Sequence, residues 1–376
     1  MKAILAMGSE LKNTFCLLRD NQAIISQHIG DLEKILAQEA YKKTINLYLG
    51  LLEHEPKAIA VDLHPEYLST KLGKEIAAAG NLTLYEIQHH HAHIASCMVE
   101  NGISGDTKPI LGIALDGLGY GADGNLWGGE FLLADYRNFQ RLASLKPVAM
   151  IGGEQAIYQP WRNTYAHLKA AFGDDLEKYQ DLELFEFLRE KNLTLLEQMM
   201  EKKINSPQAS SCGRLFDAVA AAIGLCRDKV SYEGQAAIYL ETLATEYLLN
   251  KSKEIEGYPF TIDTIETERL AILEPRPMWF ALLRDLRDNV GKEEIAAKFH
   301  LGLAKNLASM VEYLSNNYQF HQVALTGGVF QNQILQQEIR ELLTGMGLEV
   351  LTHSQVPAND GGISLGQAAI AAKRAN

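Results

Sequence analysis

The 376-residue chain has few cysteines, few prolines and no long apolar run, and each shortage argues against a class of protein. Its four cysteines lie far apart and form no C-x-x-C pair, which argues against a disulfide framework and a cysteine zinc site. Ten prolines and 47% apolar residues argue against a disordered or fibrous chain. No stretch reaches the roughly 18 apolar residues of a membrane helix, and the apolar start is too short for a signal peptide. We therefore expect a cytoplasmic protein that has no membrane partner.

Basic residues are also in the minority. There are 35 Lys and Arg against 47 Asp and Glu, which gives a formal charge of −12. Proteins that bind a phosphate backbone usually present a basic face, so we do not expect nucleic acid as a partner. A compact domain holds about 100–200 residues, so the length predicts two lobes.

The order of predicted elements is repeated along the chain. Residues 3–28 predict three short strands, and the next 70 or so residues predict helices alternating with strands at 58–62 and 82–87. A second β-β-β start follows at 110–148, with a glycine-rich turn predicted from residue 116, and leads into helical sequence, later strands and a last helix from 362. Two related β-β-β-α-β-α units predict an α/β fold with lobes 1–108 and 109–376 facing a ligand cleft. The pattern assigns no element to residues 258–274 with certainty.

Four of the 11 histidines lie within the five-residue run from His89 to His93. A helix is predicted to begin in this run, and it would place His89 and His93 on one face, within reach of one metal ion. His90 and His91 would point elsewhere, as hydrogen-bonding neighbours or packing residues. The density of the cluster favours metal binding or catalysis over simple packing, and imidazole suits Zn, Fe, Ni or Cu.

Two histidines make half a metal site, so carboxylates must come from elsewhere. Asp116 follows an apolar strand and precedes several glycines, and Asp360 stands just before the last helix. Two further segments are candidates for nucleotide contacts, because each places glycine at the start of a predicted helix: Gly213 to Asp217, and Thr326 to Asn332. Taken singly, these two segments and Asp360 are better explained as ordinary turns, helix starts or helix caps than as functional sites.

In their order along the chain these segments resemble one family. The stretches are ELKNTFCL, SQHIGDL, HHHAH, LDGLGYG, WGGE, PWRN, SSCGRLFDAVAA, YEGQAA, TGGVFQN and NDGGISLGQ. Together they are similar to the C-terminal carbamoyltransferase domain of the HypF hydrogenase maturation proteins. That domain is grouped with the TsaD-type tRNA-modifying proteins and the antibiotic O-carbamoyltransferases. The resemblance implies two actin-like (ribonuclease-H-like) lobes, a nucleotide cleft between them and a helical insertion in the second lobe.

The resemblance also implies roles for individual residues. The expected metal ligands are His89, His93, Asp360 and Asp116. The expected nucleotide contacts are Gly213, Asp217, Gly327, Gly328 and Asn332. Weaker candidates for contacts with the phosphate or the carbamoyl group are Lys12, Asn13, Arg214 and His90.

The implied reaction is the transfer of a carbamoyl group from carbamoyl-adenylate to the C-terminal cysteine of HypE, assisted by a divalent metal (Zn or Fe). The expected ligands are ATP, AMP or carbamoyl-adenylate, and no nucleophile of the chain's own is expected. A complete HypF also carries a YrdC-like domain that supplies carbamoyl-adenylate, and no such segment is present in this sequence. The alternatives are a TsaD-type tRNA threonylcarbamoyl transferase, a kinase or ATPase of the same fold, and a non-catalytic nucleotide-binding module.

Overall fold

The computed structural model describes residues 3–250, 255–265, 267 and 269–375. Its strands, in chain order, are β1 Ile4–Ala6, β2 Cys16–Arg19, β3 Gln22–Ile25, β4 Ala58–Asp62, β5 Thr83–Ile87, β6 Ile110–Tyr120, β7 Leu126–Ala134, β8 Phe139–Leu145, β9 Val148–Ala149, β10 Gln208–Ala209, β11 Thr261–Ile265, β12 Leu270–Glu274, β13 Gln322–Thr326 and β14 Glu349–Leu351. Its α-helices are α1 Ile35–Leu51, α2 Leu68–Gly80, α3 His89–Glu100, α4 Gln155–Tyr158, α5 Trp161–Phe172, α6 Glu183–Arg189, α7 Leu193–Glu201, α8 Cys212–Ala222, α9 Gln235–Asn250, α10 Arg276–Arg287, α11 Lys292–Ser315, α12 Gln333–Gly345 and α13 Ile363–Arg374.

Two sheets repeat one strand order. The first is β3-β2-β1-β4-β5, in which β1, β2 and β3 are antiparallel and β1, β4 and β5 are parallel. The second contains β8-β7-β6-β13-β14 with the same directions. The predicted doubling of a β-β-β-α-β-α unit, with a mostly helical stretch in the second unit, is therefore confirmed. The segment that the sequence left unassigned forms the β11–β12 hairpin, which extends the second sheet beyond β8.

The apolar runs become strands that are covered on both faces. All five residues of β4 are buried, as are the three of β1, because helices lie on both sides of the first sheet. The last helix, α13, packs against α3 so closely that a Cβ on Gly366 would lie 1.8 Å from the Ala92 carbonyl oxygen. It also contacts strands of the first sheet. We propose a division of the chain into lobes 1–108 and 109–376. In this division, helix α13 belongs to the second lobe but packs onto the first.

The glycine-rich segment after residue 115 differs from its prediction as a turn. Strand β6 continues through it to Tyr120, and its pairing with β7 shifts register between Leu115 and Gly119. A Cβ on Gly119 would lie 2.6 Å from the His89 ring, so this glycine lets the strand pass close to the histidine run. The turn itself is confined to residues 121–125.

Two long helices, α10 and α11, follow the hairpin, where the sequence analysis assigned no element. Their buried faces join the large core that also includes α5, α8 and α9. Among the described residues, no helix is both long enough and apolar enough to span a bilayer.

Candidate metal and nucleotide site

Four predicted side chains from three distant segments converge at one point. His89 and His93 come from the first turns of α3, Asp116 from the irregular part of β6, and Asp360 from a short 3₁₀ turn before α13. One ligand atom of each lies within 4.8 Å of all the others. Asp116 Oδ2 is 3.3 Å from Nε2 of both histidines, and Asp360 Oδ1 is 3.7 and 3.6 Å from the same two nitrogens. We refer to these four residues as the metal group.

The start of α3 explains why the two histidines face the same way. Gln88 caps the helix, since its side-chain oxygen accepts a hydrogen bond from the backbone N–H of His91. Residues four apart then lie on one face, and the rings of His89 and His93 are 5.0 Å apart between centroids. His91 points away and donates from Nε2 to the Asp135 carbonyl oxygen at 2.6 Å.

A fifth residue, Asp62, was not found from the sequence. Its Oδ2 accepts a hydrogen bond from Nδ1 of His89 at 2.8 Å, and both side chains are fully buried. This bond fixes the tautomer of His89 and turns its Nε2 toward Asp116. Asp62 stands at the end of the apolar strand β4, just as Asp116 stands after an apolar run in β6. The signal that pointed to Asp116 in the sequence was therefore also present for Asp62.

The electrostatics of the metal group favour charge on all four members. Burial opposes a charge on His89, but Asp62, Asp116 and Asp360 outweigh it and hold its pKa well above the usual value. The pKa of His93 is raised against burial by Asp116 and Asp360. Conversely, the two histidines outweigh burial and lower the pKa values of both carboxyl groups. The carboxylates are therefore ready to act as ligands, whereas each histidine must release a proton to bind a metal.

The donor set fits a divalent metal ion. It combines two imidazole nitrogens with two carboxylate oxygens, a combination found at zinc and iron sites. The Nε2 atom of His93 is buried and makes no hydrogen bond of good geometry to a described residue, although carboxylate oxygens of Asp116 and Asp360 lie 3.3 and 3.6 Å away. A bound cation would satisfy this nitrogen and both carboxylates together.

A cleft of about 560 Å³ opens beside the metal group and is lined by both lobes. Its lining includes Asp116 and Asp360 together with four of the predicted nucleotide contacts: Gly213, Asp217, Gly328 and Asn332. The backbone N–H of Gly328 donates to Asp116 Oδ1 at 3.2 Å, which joins the glycine segment to the metal group. Gly327 does not line the cleft. Its φ of +98° and its approach to Leu115 make it a structural glycine at the end of β13.

Gly213 brings helix α8 against β6. A Cβ at this position would lie 2.9 Å from the Gly117 Cα, so only glycine fits without movement. One turn later, burial raises the pKa of Asp217 to about 6, with Arg214 acting in the opposite direction. Arg214 Nη1 is 3.0 Å from Asp217 Oδ2, yet its Nε and Nη1 make no hydrogen bond of good geometry to described residues. This buried guanidinium therefore retains donors for a ligand.

Asn332 is held by two hydrogen bonds. Its Oδ1 accepts from the Leu335 N–H and caps α12, while its Nδ2 donates to His300 Nε2 at 2.9 Å. His300 in turn donates from Nδ1 to the Ala296 carbonyl oxygen at 2.8 Å. Because burial lowers the pKa of His300 to about 4, the imidazole is neutral and can accept from Asn332. His300 is not among the residues predicted from the sequence.

The weaker candidates separate into two groups. Lys12 lines the cleft, and its Nζ is 3.0 Å from Glu233 Oε2. Asn13 does not line the cleft, because its amide donates to the Met7 and Ser9 carbonyl oxygens inside the first hairpin. His90 also lies outside the lining and contacts Gln88, and burial keeps its pKa well below the usual value. Neither Asn13 nor His90 therefore lines the cleft, and both remain weak candidates for ligand contacts.

The loop that carries Asp360 is anchored to the far end of α3. Glu100, the last residue of that helix, accepts hydrogen bonds from Ser354 Oγ at 3.0 Å and from His353 Nδ1 at 2.8 Å. His353 Nε2 lies 2.8 Å from Thr326 Oγ1, and that hydroxyl is 3.2 Å from the His93 carbonyl oxygen. One helix therefore presents the two histidines and also holds the loop of their carboxylate partner.

Comparison with known proteins gives consistent matches. Residues 112–367 match the family profile described as carbamoyltransferase, Kae1-like domain, second subdomain, and residues 1–100 match that of the HypF Kae1-like domain. Carbamoyltransferase HypF of Rhodobacter capsulatus is 39% identical over 371 residues, which are 99% of this chain and 47% of the relative. A carbamoyltransferase HypF homolog of Cupriavidus necator is 34% identical over 375 residues, 99% of this chain and 92% of the relative.

A solved structure is also similar. Full-length HypF in its phosphate- and nucleotide-bound form shares 37% identity, with a TM-score of 0.89, over 99% of this chain and 46% of that protein. The chain thus spans about half the length of several relatives that it matches, and nearly all of the Cupriavidus homolog.

Proposed function

Because this chain belongs to the family of HypF Kae1-like carbamoyltransferase domains, we propose that it transfers a carbamoyl group from carbamoyl-adenylate to a protein thiol. The proposed acceptor is the C-terminal cysteine of HypE, and the pathway is the synthesis of the cyanide ligand of [NiFe]-hydrogenase. Supply of carbamoyl-adenylate by a YrdC-like domain or protein is part of the same proposal.

The proposed roles divide between the two parts of the cleft. Asp217, Gly213, Gly328 and Asn332 would hold the adenosine, with Arg214 and Lys12 beside the phosphate. His89, His93, Asp116 and Asp360 would hold a divalent metal, with zinc or iron as the candidates. Such a metal, when bound, acts as a Lewis acid toward a carbonyl or phosphate oxygen. Asp62 would keep the His89 ring in its ligand orientation.

The nucleophile is proposed to come from the partner, and none of the four cysteines lines the cleft formed by the described residues. Cys16, Cys97 and Cys212 are fully buried, and burial raises the pKa of each thiol. Cys226 does not line the cleft. In the proposed step the acceptor thiolate attacks the carbamoyl carbon and a C–S bond forms. The bond between that carbon and the phosphate oxygen breaks, and AMP leaves with the electron pair.

One observation supports the proposal more than any other. The Nε2 atoms of His89 and His93 and the carboxylates of Asp116 and Asp360 converge in or beside the cleft that also contains the nucleotide-type glycine segments. The test combines the metal-loaded chain, carbamoyl-adenylate and HypE. Mass spectrometry should show one carbamoyl group added to the terminal cysteine, and no addition with His93→Ala. Normal transfer by a metal-free His93→Ala protein would contradict the metal role, and no transfer by the unaltered chain would contradict the function.

A further inference from the structure

The carboxylate of Glu100 occupies a position that does not favour it. Glu100 is the last residue of α3, so it lies close to the negative end of the helix dipole, and its side chain is only 2% exposed. Burial of a negative charge at such a place costs free energy unless hydrogen bonds compensate for it. The contacts of this carboxylate therefore indicate its role.

One short segment supplies several hydrogen bonds to Glu100. The Ser354 hydroxyl and the His353 ring donate to its carboxylate at 3.0 and 2.8 Å. The backbone N–H groups of residues 354–356 also donate to it, that of Val356 at 3.4 Å. Burial opposes the charge, but these hydrogen bonds outweigh it and lower the pKa of Glu100. The segment 353–356 is thus fixed to the end of α3.

The same segment is also linked to α3 near His93. The His353 ring lies 2.8 Å from the Thr326 hydroxyl, and that hydroxyl is 3.2 Å from the His93 carbonyl oxygen. His93 and Glu100 are seven residues apart on one helix, about 10 Å along its axis. The segment is therefore tied to α3 both at the end of the helix and beside a histidine of the metal group.

Only residues 357–359 separate this segment from Asp360. The ring of Pro357 fixes its φ angle, which restricts the connection. The Asn359 side chain caps the turn of Asp360, because its Oδ1 accepts from the Gly361 N–H at 3.0 Å. Since the connection is short and has little freedom, a shift of the segment held by α3 would also move the Asp360 carboxylate.

We propose that Glu100 is a positioning residue for the metal group. By holding residues 353–356 on α3, it sets where the Asp360 carboxylate lies. Oδ1 of Asp360 is 3.7 and 3.6 Å from Nε2 of His89 and His93, so a displacement of its turn would remove one ligand from the group. This inference rests on the metal role in the proposed function, and it adds a residue that controls metal affinity without belonging to the metal group.

Glu100→Gln tests the proposal, because the amide keeps the size of the side chain but replaces one acceptor oxygen by a donor. Calorimetric titration with Zn²⁺ should show about tenfold weaker binding, within the range found for residues that orient metal ligands. Glu75→Gln, the same change at an exposed position of α2, should leave the affinity unchanged. Unchanged affinity in Glu100→Gln, or an equal loss in both variants, would overturn the proposal.

A double-mutant cycle separates positioning from a general structural effect. Asp360→Asn removes the ligand that Glu100 is proposed to place and leaves three members of the metal group. In that background Glu100→Gln should weaken Zn²⁺ binding by less than about twofold, because both changes act through one carboxylate. A further tenfold loss would show that Glu100 supports α3 in general, and it would overturn the proposal.

Ser354→Ala gives a second test if Glu100→Gln does not fold, since it removes only the hydroxyl bond at 3.0 Å. It should weaken Zn²⁺ binding about threefold in the unaltered background and leave it unchanged in Asp360→Asn. Equal losses in both backgrounds, or none in either, would contradict the proposal.

The two proposals fail in distinguishable ways. If the unaltered chain binds Zn²⁺ and Glu100→Gln binds it equally well, this inference is wrong and the proposed function stands. If the unaltered chain binds no Zn²⁺, both this inference and the metal role in the proposed function are wrong.

Discussion

The two sheets have the same strand order, but the equivalent strand ends β4 and β13 act on α3 in different ways. In the first sheet β4 ends at Asp62, whose carboxylate holds the ring of His89 at 2.8 Å. In the second, β13 ends at Thr326, whose hydroxyl lies 3.2 Å from the backbone carbonyl of His93. The equivalent position in the repeated topology thus orients the His89 ring from the first sheet, whereas from the second sheet it lies against the backbone of α3.

The central strands differ as well. Strand β1 has three residues and ends before the first hairpin, whereas β6 has 11 and carries Asp116 past the histidines. The longer strand is possible because glycines in its second half allow the close approach. The repeated strand order positions the two sheets, and the extra length of β6 brings Asp116 to the candidate site.

The largest effect is expected from His93→Ala, which removes a ligand from the metal group. The chain should remain folded, because alanine is a good helix former, but it should no longer retain metal through gel filtration. Elemental analysis measures the result. His91→Gln is the matched control from the same histidine run, and equal metal loss in both variants would contradict the assignment of the group.

Asp62→Asn tests the difference between the equivalent strand ends. Loss of the charge that orients His89 should weaken metal affinity by about 10- to 100-fold. The comparison variant, Thr326→Val, should change metal affinity much less, because the Thr326 hydroxyl meets the backbone of His93 and the ring of His353 rather than the side chain of a metal-group residue. A competition titration with a chelator measures both, and similar losses would show that the two strand ends are not functionally different.

Gly213→Ala tests the close contact between α8 and β6. A methyl group 2.9 Å from the Gly117 Cα forces the helix away from the strand, at a cost of about 1–3 kcal/mol in the free energy of unfolding. Affinity for AMP should fall as well, because displacement of α8 moves Gly213 and Asp217 in the cleft lining. Gly345→Ala, whose Cβ would meet open space at the end of α12, serves as the control. Denaturant unfolding and calorimetric titration measure the two effects, and unchanged AMP binding would remove Gly213 from the proposed site.

The smallest effect concerns pH and the residue behind Asn332. His300 has a folded pKa near 4, lowered by burial, whereas an unfolded histidine titrates near 6.5, so the unfolded state takes up the proton first as pH falls. Stability from this group is therefore complete above about pH 6.5 and decreases below it, by about 1 kcal/mol between pH 7 and 5.5. Unfolding curves of His300→Gln should show a shallower pH dependence, whereas replacement of the exposed His321 by Gln should leave the dependence unchanged.

Much of the fold was predictable because it depends on local patterns. Short apolar runs between polar turns gave the strands of both sheets, and the four-residue spacing of His89 and His93 gave a common helix face. The β11–β12 hairpin and helices α10 and α11 were not assigned, because no marked local pattern predicts them. Pairing with β8 and packing in the large core define these elements.

For the site, the residue types were predictable from the sequence, whereas their hydrogen-bond and ion-pair partners came from the structure. His300 and Glu100 escaped prediction, because their importance comes from contacts with residues 32 and 254 positions away. Asp62 was missed although it ends an apolar strand, and only its contact with His89 shows its role. Asn13 differs from them: it was predicted as a weak candidate, and the structure shows its amide nitrogen donating to two carbonyl oxygens within the first hairpin.

The sequence by itself indicated the doubled α/β architecture, the family and the four residues that the structure brings together as the metal group, because periodicity, spacing and motif order can be read along the chain. Only the tertiary structure decided that two strands, one helix and one loop meet at a single point, and which further side chains secure them there. Packing between distant segments sets such distances, and no local pattern encodes them.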